Sequence, residues 1–284
     1  MKLFVTGGTG FIGANFLAAA CSAGHEVFAL RRPGSSPRLP LPAQPRWLEG
    51  GLDDDWTAPL GACDALVHFA AAGVNPADAG WEQCFETNVT AALKLWRQAS
   101  DSGVRQFVVC GSCFEYGRAG ERYEFIPTNA PLEPTGPYHA SKAAATMAAL
   151  GLAVERQASL RVLRPFHVFG PGEAPLRFWP ALVAAAQRGD DFPMTAGAQV
   201  RDFVPVAAVA AAFLRALRDP ALPGEPVIEN LGSGQPQTLR AFAESWWRQL
   251  RAPGELRLGA LPYRPGEVMR YVPLLPPPPP AHAA

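Results

Sequence analysis

Immediately after the apolar run Lys2–Thr6, the segment Thr6-Gly7-Gly8-Thr9-Gly10-Phe11-Ile12-Gly13 opens a helical pattern over Phe11–Ala23. No other feature limits the fold of this chain as strongly. Glycines let the backbone leave a strand, turn tightly and enter a helix whose first N–H groups have no partner within it. Those N–H groups and the helix dipole favour a pyrophosphate, whose close approach requires residues without side chains. A nicotinamide dinucleotide is therefore expected over Gly7, Thr9, Gly10, Phe11, Ile12 and Gly13. A glycine triplet alone is weak evidence, but a strand before it and a helix after it make the reading specific.

The rest of the chain continues the alternation. His25–Leu30, Arg46–Glu49, Asp64–Ala70, Arg105–Gly111 and Ser159–Arg164 read as strands, and Trp81–Ser102 and Pro137–Arg156 as long helices. This pattern predicts an α/β fold, a Rossmann doubly wound parallel sheet, with its sites beyond the carboxyl ends of the strands. After Pro165 proline and glycine become frequent, and Leu176–Arg188, Val206–Arg218 and Leu239–Leu250 read as shorter helices between short strands. The expected organisation is a dinucleotide-binding domain over 1–165 and a smaller C-terminal substrate-binding lobe over 166–272, with some segments rejoining the main sheet. Residues 273–284 form a proline-rich tail whose five consecutive prolines, Pro276–Pro280, exclude helix and central strand.

Charge narrows the partners. The 25 basic and 25 acidic side chains cancel, which argues against nucleic acid or an anionic membrane surface as ligand. No apolar run reaches the roughly 18 residues of a membrane span, and the first 20 residues lack a secretory pattern, so a cytoplasmic protein is expected. Five cysteines predict no disulfide framework. The spacing Cys110-Gly-Ser-Cys113 has no second pair to complete a metal site, so no metal is expected.

Two clusters carry the chemistry. Arg31 and Arg32 stand at the end of the second strand, where an acidic residue would accept hydrogen bonds from an adenosine ribose. Two guanidinium groups instead suit a 2′-phosphate, so NADP(H) is favoured over NAD(H); the plain alternative is a solvated loop. Tyr138 and Lys142 lie one turn apart on a predicted helix, where an ammonium would lower the phenol pKa toward proton transfer. Ser112, just after the fifth strand, can hold a carbonyl oxygen at the carboxyl edge of the sheet. Singly, Tyr138 would be an ordinary packed aromatic; together the three form a consistent catalytic set.

With these residues in place, the chain resembles the extended short-chain dehydrogenase/reductase family, in its NAD-dependent epimerase/dehydratase group acting on nucleotide-activated sugars. The resemblance runs from residue 1 to about 272. It rests on Thr6–Gly13, His68–Ala71, Asn88, Gly111–Gly117, Tyr138–Lys142, Arg164–Gly172, Val200–Val206, Asn230–Gly234 and Tyr263–Glu267. It implies a Ser112–Tyr138–Lys142 triad, with Lys142 also on the nicotinamide ribose, and dinucleotide contacts from Phe69, Ala70, Ala71, Pro165 and His167. It further implies that Arg201 and Arg264 bind the diphosphate of a nucleoside-diphosphate sugar, with Cys113, Phe114 and Glu267 beside the substrate.

Departures from the family pattern discriminate further. Dehydratases of the group carry an Asp-Glu pair directly after the position of Ser112, where this chain has Cys113 and Phe114. Glu115 is shifted by one residue and on an extended segment would face away, so dehydration is not expected. The adenine-contacting acid of the family is replaced by Gly51, leaving backbone groups of Leu52 for the base. His167 sits where relatives often have Asn, and reads equally as a diphosphate contact or a packed histidine. Arg177 replaces Asn or His of several relatives and is a candidate for phosphate or sugar contact.

Two enzyme readings survive. A reductase passes hydride from NADPH to the C4 keto group of a nucleoside-diphosphate-4-keto-6-deoxyhexose and exchanges its cofactor at each turnover. A 4-epimerase oxidises C4, rotates the keto sugar and reduces it, retaining NAD. Arg31 and Arg32 favour the reductase. A third reading, a non-catalytic dinucleotide sensor, is disfavoured because Tyr138 and Lys142 are both present. The resemblance also implies a homodimer packed through Trp81–Ser102 and Pro137–Arg156.

Overall fold

Short runs of Val, Leu, Phe and Ala between helical patterns bury themselves best as parallel strands covered on both faces. The computed structural model, which describes residues 1–74 and 80–275, has that architecture. In chain order it runs β1 (Lys2–Thr6), α1 (Phe11–Ser22), β2 (Glu26–Arg31), β3 (Arg46–Glu49), α2 (Thr57–Leu60), β4 (Ala65–His68), α3 (Trp81–Phe85), α4 (Ala92–Asp101), β5 (Gln106–Cys110), α5 (Pro137–Arg156) and β6 (Ser159–Pro165). There follow β7 (His167–Phe169), α6 (Phe178–Arg188), β8 (Phe192–Met194), β9 (Val200–Arg201), β10 (Phe203–Pro205), α7 (Val206–Arg218), β11 (Val227–Leu231), β12 (Gln237–Thr238), α8 (Leu239–Gln249), β13 (Leu256–Leu258) and β14 (Arg270–Tyr271). Residues 276–284, with the proline run, lie outside the described residues.

Seven strands form one parallel sheet in the order β11-β6-β5-β4-β1-β2-β3. The order reverses between β1 and β4, which opens a crevice at their carboxyl ends. On one face, Phe16 and Leu17 of α1 and Phe213 and Leu217 of α7 pack over Leu3, Val5 and Val67. On the other, Leu95 and Trp96 of α4 and Ala149 and Ala153 of α5 cover Phe4, Leu66 and Val109. Small residues on that side of α5 bring its backbone close to β6.

The long helix expected over Trp81–Ser102 is not continuous: Glu86–Ala91 form a π turn between α3 and α4. Such an inserted residue rotates the side chains after it and frequently marks a functional position. Beyond β6, three small sheets appear: β7 with β10, β9 between β12 and β14, and β8 with β13. Leu182 and Ala186 of α6, Met194, and Ala243 and Trp247 of α8 enclose a separate small core.

Candidate active site

The glycine turn is built so that no other residue fits its two ends. Gly7 has φ +68°, and a Cβ there would lie 2.5 Å from Ala70 N and Phe69 C. A Cβ on Gly13 would come within 2.2 Å of Gly7 O. Gly10 differs: its Cβ would meet only Gly7 O, at 3.2 Å, so its absence keeps a surface open more than it permits the turn. Gly10 caps α1 with no side-chain bond, and the first turn of the helix carries no acidic residue. Bare N–H groups at the end of a 12-residue helix, with Thr9, Phe11 and Ile12 around an open glycine, fit a pyrophosphate.

The floor beneath the turn is sealed. Thr6 Oγ1 and His68 Nδ1 lie 2.9 Å apart, and both residues are buried. Burial, assisted by the Lys142 charge, pushes His68 down to about 3, so it stays neutral. Phe69 turns into the core against Phe16 and Phe213, at 5.1 and 4.5 Å between ring centroids. It therefore offers only backbone to a ligand, as do Ala70 and Ala71 beside it. Leu52 likewise packs its side chain on the core, while the flanking Gly51 gives its N–H to Asp54 and accepts from Trp56.

At the carboxyl end of β2 the two arginines part. Arg31 is bonded to Glu49, with which it is in register, at 2.7 Å, and its guanidinium lies 5.0 Å above Trp47. Arg32 is exposed on the following turn and has no ion-pair partner among the described residues. Arg38, which the sequence did not single out, joins Arg31, Gln44 and Trp47 along a groove of about 400 Å³.

Ser112, Tyr138 and Lys142 converge beyond β5. Ser112 caps a short 3₁₀ turn over Cys113–Tyr116, its Oγ accepting the Phe114 N–H at 3.2 Å. Lys142 is buried and donates from Nζ to Cys110 O at 2.6 Å. The Tyr138 phenol is raised above the ordinary tyrosine range by burial, with the nearby Ser112 hydroxyl working against that shift. This reverses the expected lowering by Lys142. The ammonium is held on the Cys110 carbonyl, and desolvation of the phenol dominates.

Asn88, one of the positions that carry the family resemblance, has a bracing role that the sequence pattern does not reveal. Asn88, buried in the π turn, accepts from Ala72 N at 2.7 Å and donates to Ser141 Oγ at 2.9 Å. It thereby ties the loop after β4 to the turn of α5 that carries both Tyr138 and Lys142.

Around the triad, Cys110 and Cys113 are free, buried thiols raised to about 11 and about 12 by burial, which suits packing and not redox work. Phe114 is half-exposed and stacks on His139 at 4.9 Å, so the two positions of the dehydratase acids hold no carboxylic acid. Glu115 does not face away as expected. The segment is a 3₁₀ turn, not extended chain, and it carries the carboxylate inward to Arg164. The Ser112-x-x-Glu115 spacing is a capping-box signature from which this could have been read.

Pro165, the last residue of β6, is buried, and His167 follows at the start of β7. His167 is half-buried overall, but its Nδ1 is sealed without a partner, and burial holds it at about 3. Glu173 Oε2 and Trp179 Nε1, which no sequence motif marks, are likewise sealed and unpartnered. Three buried polar atoms without partners within residues 167–179 fit a polar ligand. Arg177 is exposed at the N-cap of α6. Arg201 is brought to Glu267 at 3.2 Å and also donates to the Val200 carbonyl, while Arg264 stays exposed on the turn leading to Glu267. A void of about 10 Å³ lined by Trp96, Phe107 and Leu160 lies under α5 in the core and includes none of these residues.

The titrations give a signed expectation. His68 and His167 take up protons in the unfolded chain near 6.5 but in the fold only near 3, so stability falls as pH drops below about 6.5. Glu173, raised to about 7 by burial, opposes this between 4.5 and 7 because its folded form holds the proton longer. Melting temperatures measured from pH 7 to 5 are expected to fall less in His167→Asn than in the wild type, and more steeply in Glu173→Gln.

The model of the NAD dependent epimerase/dehydratase family matches residues 3–232. A UDP-glucose 4-epimerase of Corynebacterium glutamicum is 29% identical over 264 residues, covering 86% of this chain and 79% of the relative. A GDP-6-deoxy-D-mannose reductase of Pseudomonas aeruginosa is 30% identical over 258 residues, covering 86% and 78%. Among solved structures, the Thermus thermophilus UDP-glucose 4-epimerase complexed with NAD matches with TM-score 0.79 at 26% identity, over 96% of this chain and 90% of that one. No described helix is long and apolar enough to cross a membrane.

Proposed function

Because the chain belongs to the NAD dependent epimerase/dehydratase family, we propose that it reduces the C4 keto group of a nucleoside-diphosphate-4-keto-6-deoxyhexose with NADPH. The observation that carries this reading is the carboxyl end of β2. The carboxylate in register there, Glu49, is bonded to Arg31, and Arg32 stands next to it unpaired among the described residues. The one carboxylate there already accepts from Arg31 through Oε1, whereas a 2′-phosphate finds two cations, Arg31 and Arg32. Glu49 does not hold Arg31 away. Both side chains are substantially exposed, and such pairs contribute only about 0–1 kcal/mol, so the contact yields to a phosphate.

The bound dinucleotide supplies the hydride that C4 receives; the proton and the hydrogen bonds come from this chain. Tyr138 donates its proton to the carbonyl oxygen, and burial keeps the phenol in the protonated state that a general acid needs. Ser112 Oγ already accepts a backbone N–H, so its own hydrogen is directed outward to the same oxygen. Lys142 uses one of its three donors on Cys110 O and keeps its charge beside the tyrosinate left behind. Arg201 and Arg264 bind the diphosphate, with His167, Glu173 and Arg177 along the rest of the nucleotide sugar. Neither Cys113 nor Phe114 can transfer the proton that dehydration requires.

A second reading, a 4-epimerase with retained NAD, is favoured by the Glu49 carboxylate itself, which stands in register beside Arg31 and can accept from a ribose hydroxyl. Arg32→Asp distinguishes the two. Under the reductase reading it weakens NADPH binding by about 10- to 100-fold, as loss of a charged hydrogen bond does, and improves NADH. Wild-type protein that copurifies with NAD and is indifferent to Arg32→Asp supports the epimerase instead. The reading extends to a homodimer through α3, α4 and α5, which expose Trp81, Met147 and Val154.

A further inference from the structure

Glu115 has no part in the chemistry above, yet it is among the most deeply buried charges of the chain, at 0% exposure. Its two oxygens are divided. Oε1 accepts the Ser112 N–H at 2.7 Å, while Oε2 receives Nε and Nη2 of Arg164 at 2.9 and 2.8 Å. Arg164, itself 1% exposed, donates from Nη1 to the Tyr116 hydroxyl at 2.9 Å. That hydroxyl donates to Asn230 at 2.7 Å, and Asn230 donates to the Ile126 carbonyl at 2.8 Å. Every member has a partner, and the chain of bonds ends on the backbone of Ser112.

Two facts show that this network is more than filling. An apolar pair of the same volume often serves stability as well as a buried ion pair, because taking two charges out of water is costly. And Gly111 is shaped around it: a Cβ there would lie 2.8 Å from Glu115 Oε1 and 3.0 Å from Arg164 Cγ. The residue before Ser112 therefore lacks a side chain in order to admit the carboxylate.

We propose that Glu115 is a positioning residue for Ser112. By holding the Ser112 N–H it completes the cap in which Ser112 Oγ accepts from Phe114 N, and so fixes the direction of the serine's own hydrogen. Arg164 anchors the carboxylate, so the serine is referenced to the buried core and not to a surface loop. The inference rests on the reading of Ser112 as the carbonyl-polarising group.

The test is a double-mutant cycle on the full chain, reading NADPH oxidation with the keto sugar and NADPH affinity. Glu115→Asp keeps the charge for Arg164 but is one methylene too short to reach both partners. It is expected to lower kcat by about 10- to 100-fold, the effect of a misdirected catalytic group, with KM and NADPH Kd within about twofold. In a Ser112→Ala background the same change should cost less than about twofold, because the group it positions is gone. Gly111→Ala, whose methyl crowds the carboxylate at 2.8 Å and Arg164 Cγ at 3.0 Å while leaving the Ser112 and Glu115 side chains themselves unchanged, should repeat the pattern if Glu115→Asp folds poorly. Equal losses with and without the Ser112 hydroxyl, or a kcat near wild type in both variants, overturn the proposal. If Ser112→Ala itself leaves kcat unchanged, the reductase mechanism falls and takes this inference with it. If Ser112→Ala is slow while Glu115→Asp is fast, the inference alone fails.

Discussion

Tyr138→Phe is expected to reduce kcat for ketone reduction by about 10²- to 10⁴-fold, the range for loss of a positioned general acid. KM and NADPH affinity should stay close to wild type, since the ring remains and only the hydroxyl leaves. Stability should be nearly unchanged, because the phenol is already desolvated and the substitution removes a polar group from that setting. The pH dependence adds a check on direction. A phenol raised by burial stays protonated through neutral pH, so reduction should not require low pH to supply the acid. Steady-state rates over pH 6 to 9 together with melting curves test all three points, and a Phe variant retaining more than about a tenth of wild-type kcat removes Tyr138 from the mechanism.

That this tyrosine, with Ser112 and Lys142, stands out in the sequence reflects how local the signals are. The ranges read for β1, β3, α5 and α7 coincide with the observed elements, because apolar runs bounded by glycine or proline and a proline at the first turn of α5 leave little freedom. What was not legible depends on geometry between distant residues. The Arg31–Glu49 bond follows from the register of β2 on β3, set by the whole sheet and not by the sequence between them. The π turn at Glu86–Ala91 inserts one residue into a pattern whose average period hardly changes. The direction of the Tyr138 shift hinges on where the Lys142 ammonium finds its partner, and that partner is a carbonyl 32 residues away. Glu115 was legible in principle, through its capping spacing, but an extended backbone was assumed there.

The glycine turn supports the second large effect, a pair of substitutions with opposite signatures. Gly7→Ala places a Cβ 2.5 Å from backbone atoms of Phe69 and Ala70 at a φ of +68°, neither of which a rotamer change can relieve. Strain and overpacking together are expected to destabilise the fold by about 2–4 kcal/mol. Gly10→Ala meets only Gly7 O, at 3.2 Å, with φ −77° on an ordinary helix-cap backbone, so its melting temperature should stay near wild type. Its methyl nevertheless occupies the surface over which a pyrophosphate would lie, and dinucleotide binding should fall by at least about tenfold. Calorimetry and NADPH titration of both variants separate the glycine that shapes the turn from the one that leaves room for the ligand. If Gly10→Ala binds NADPH as tightly as wild type, the phosphates do not lie there.

The most direct measurement of the central claim follows the hydride itself. The protein is supplied with NADPH carrying deuterium at the transferable position and a nucleoside-diphosphate-4-keto-6-deoxyhexose, and product and dinucleotide are counted together. The account predicts one equivalent of NADP⁺ for each C4 alcohol formed, with the deuterium at C4 of the sugar. Interconversion of C4 epimers with no net oxidation of the dinucleotide, and no deuterium entering the product, would contradict it.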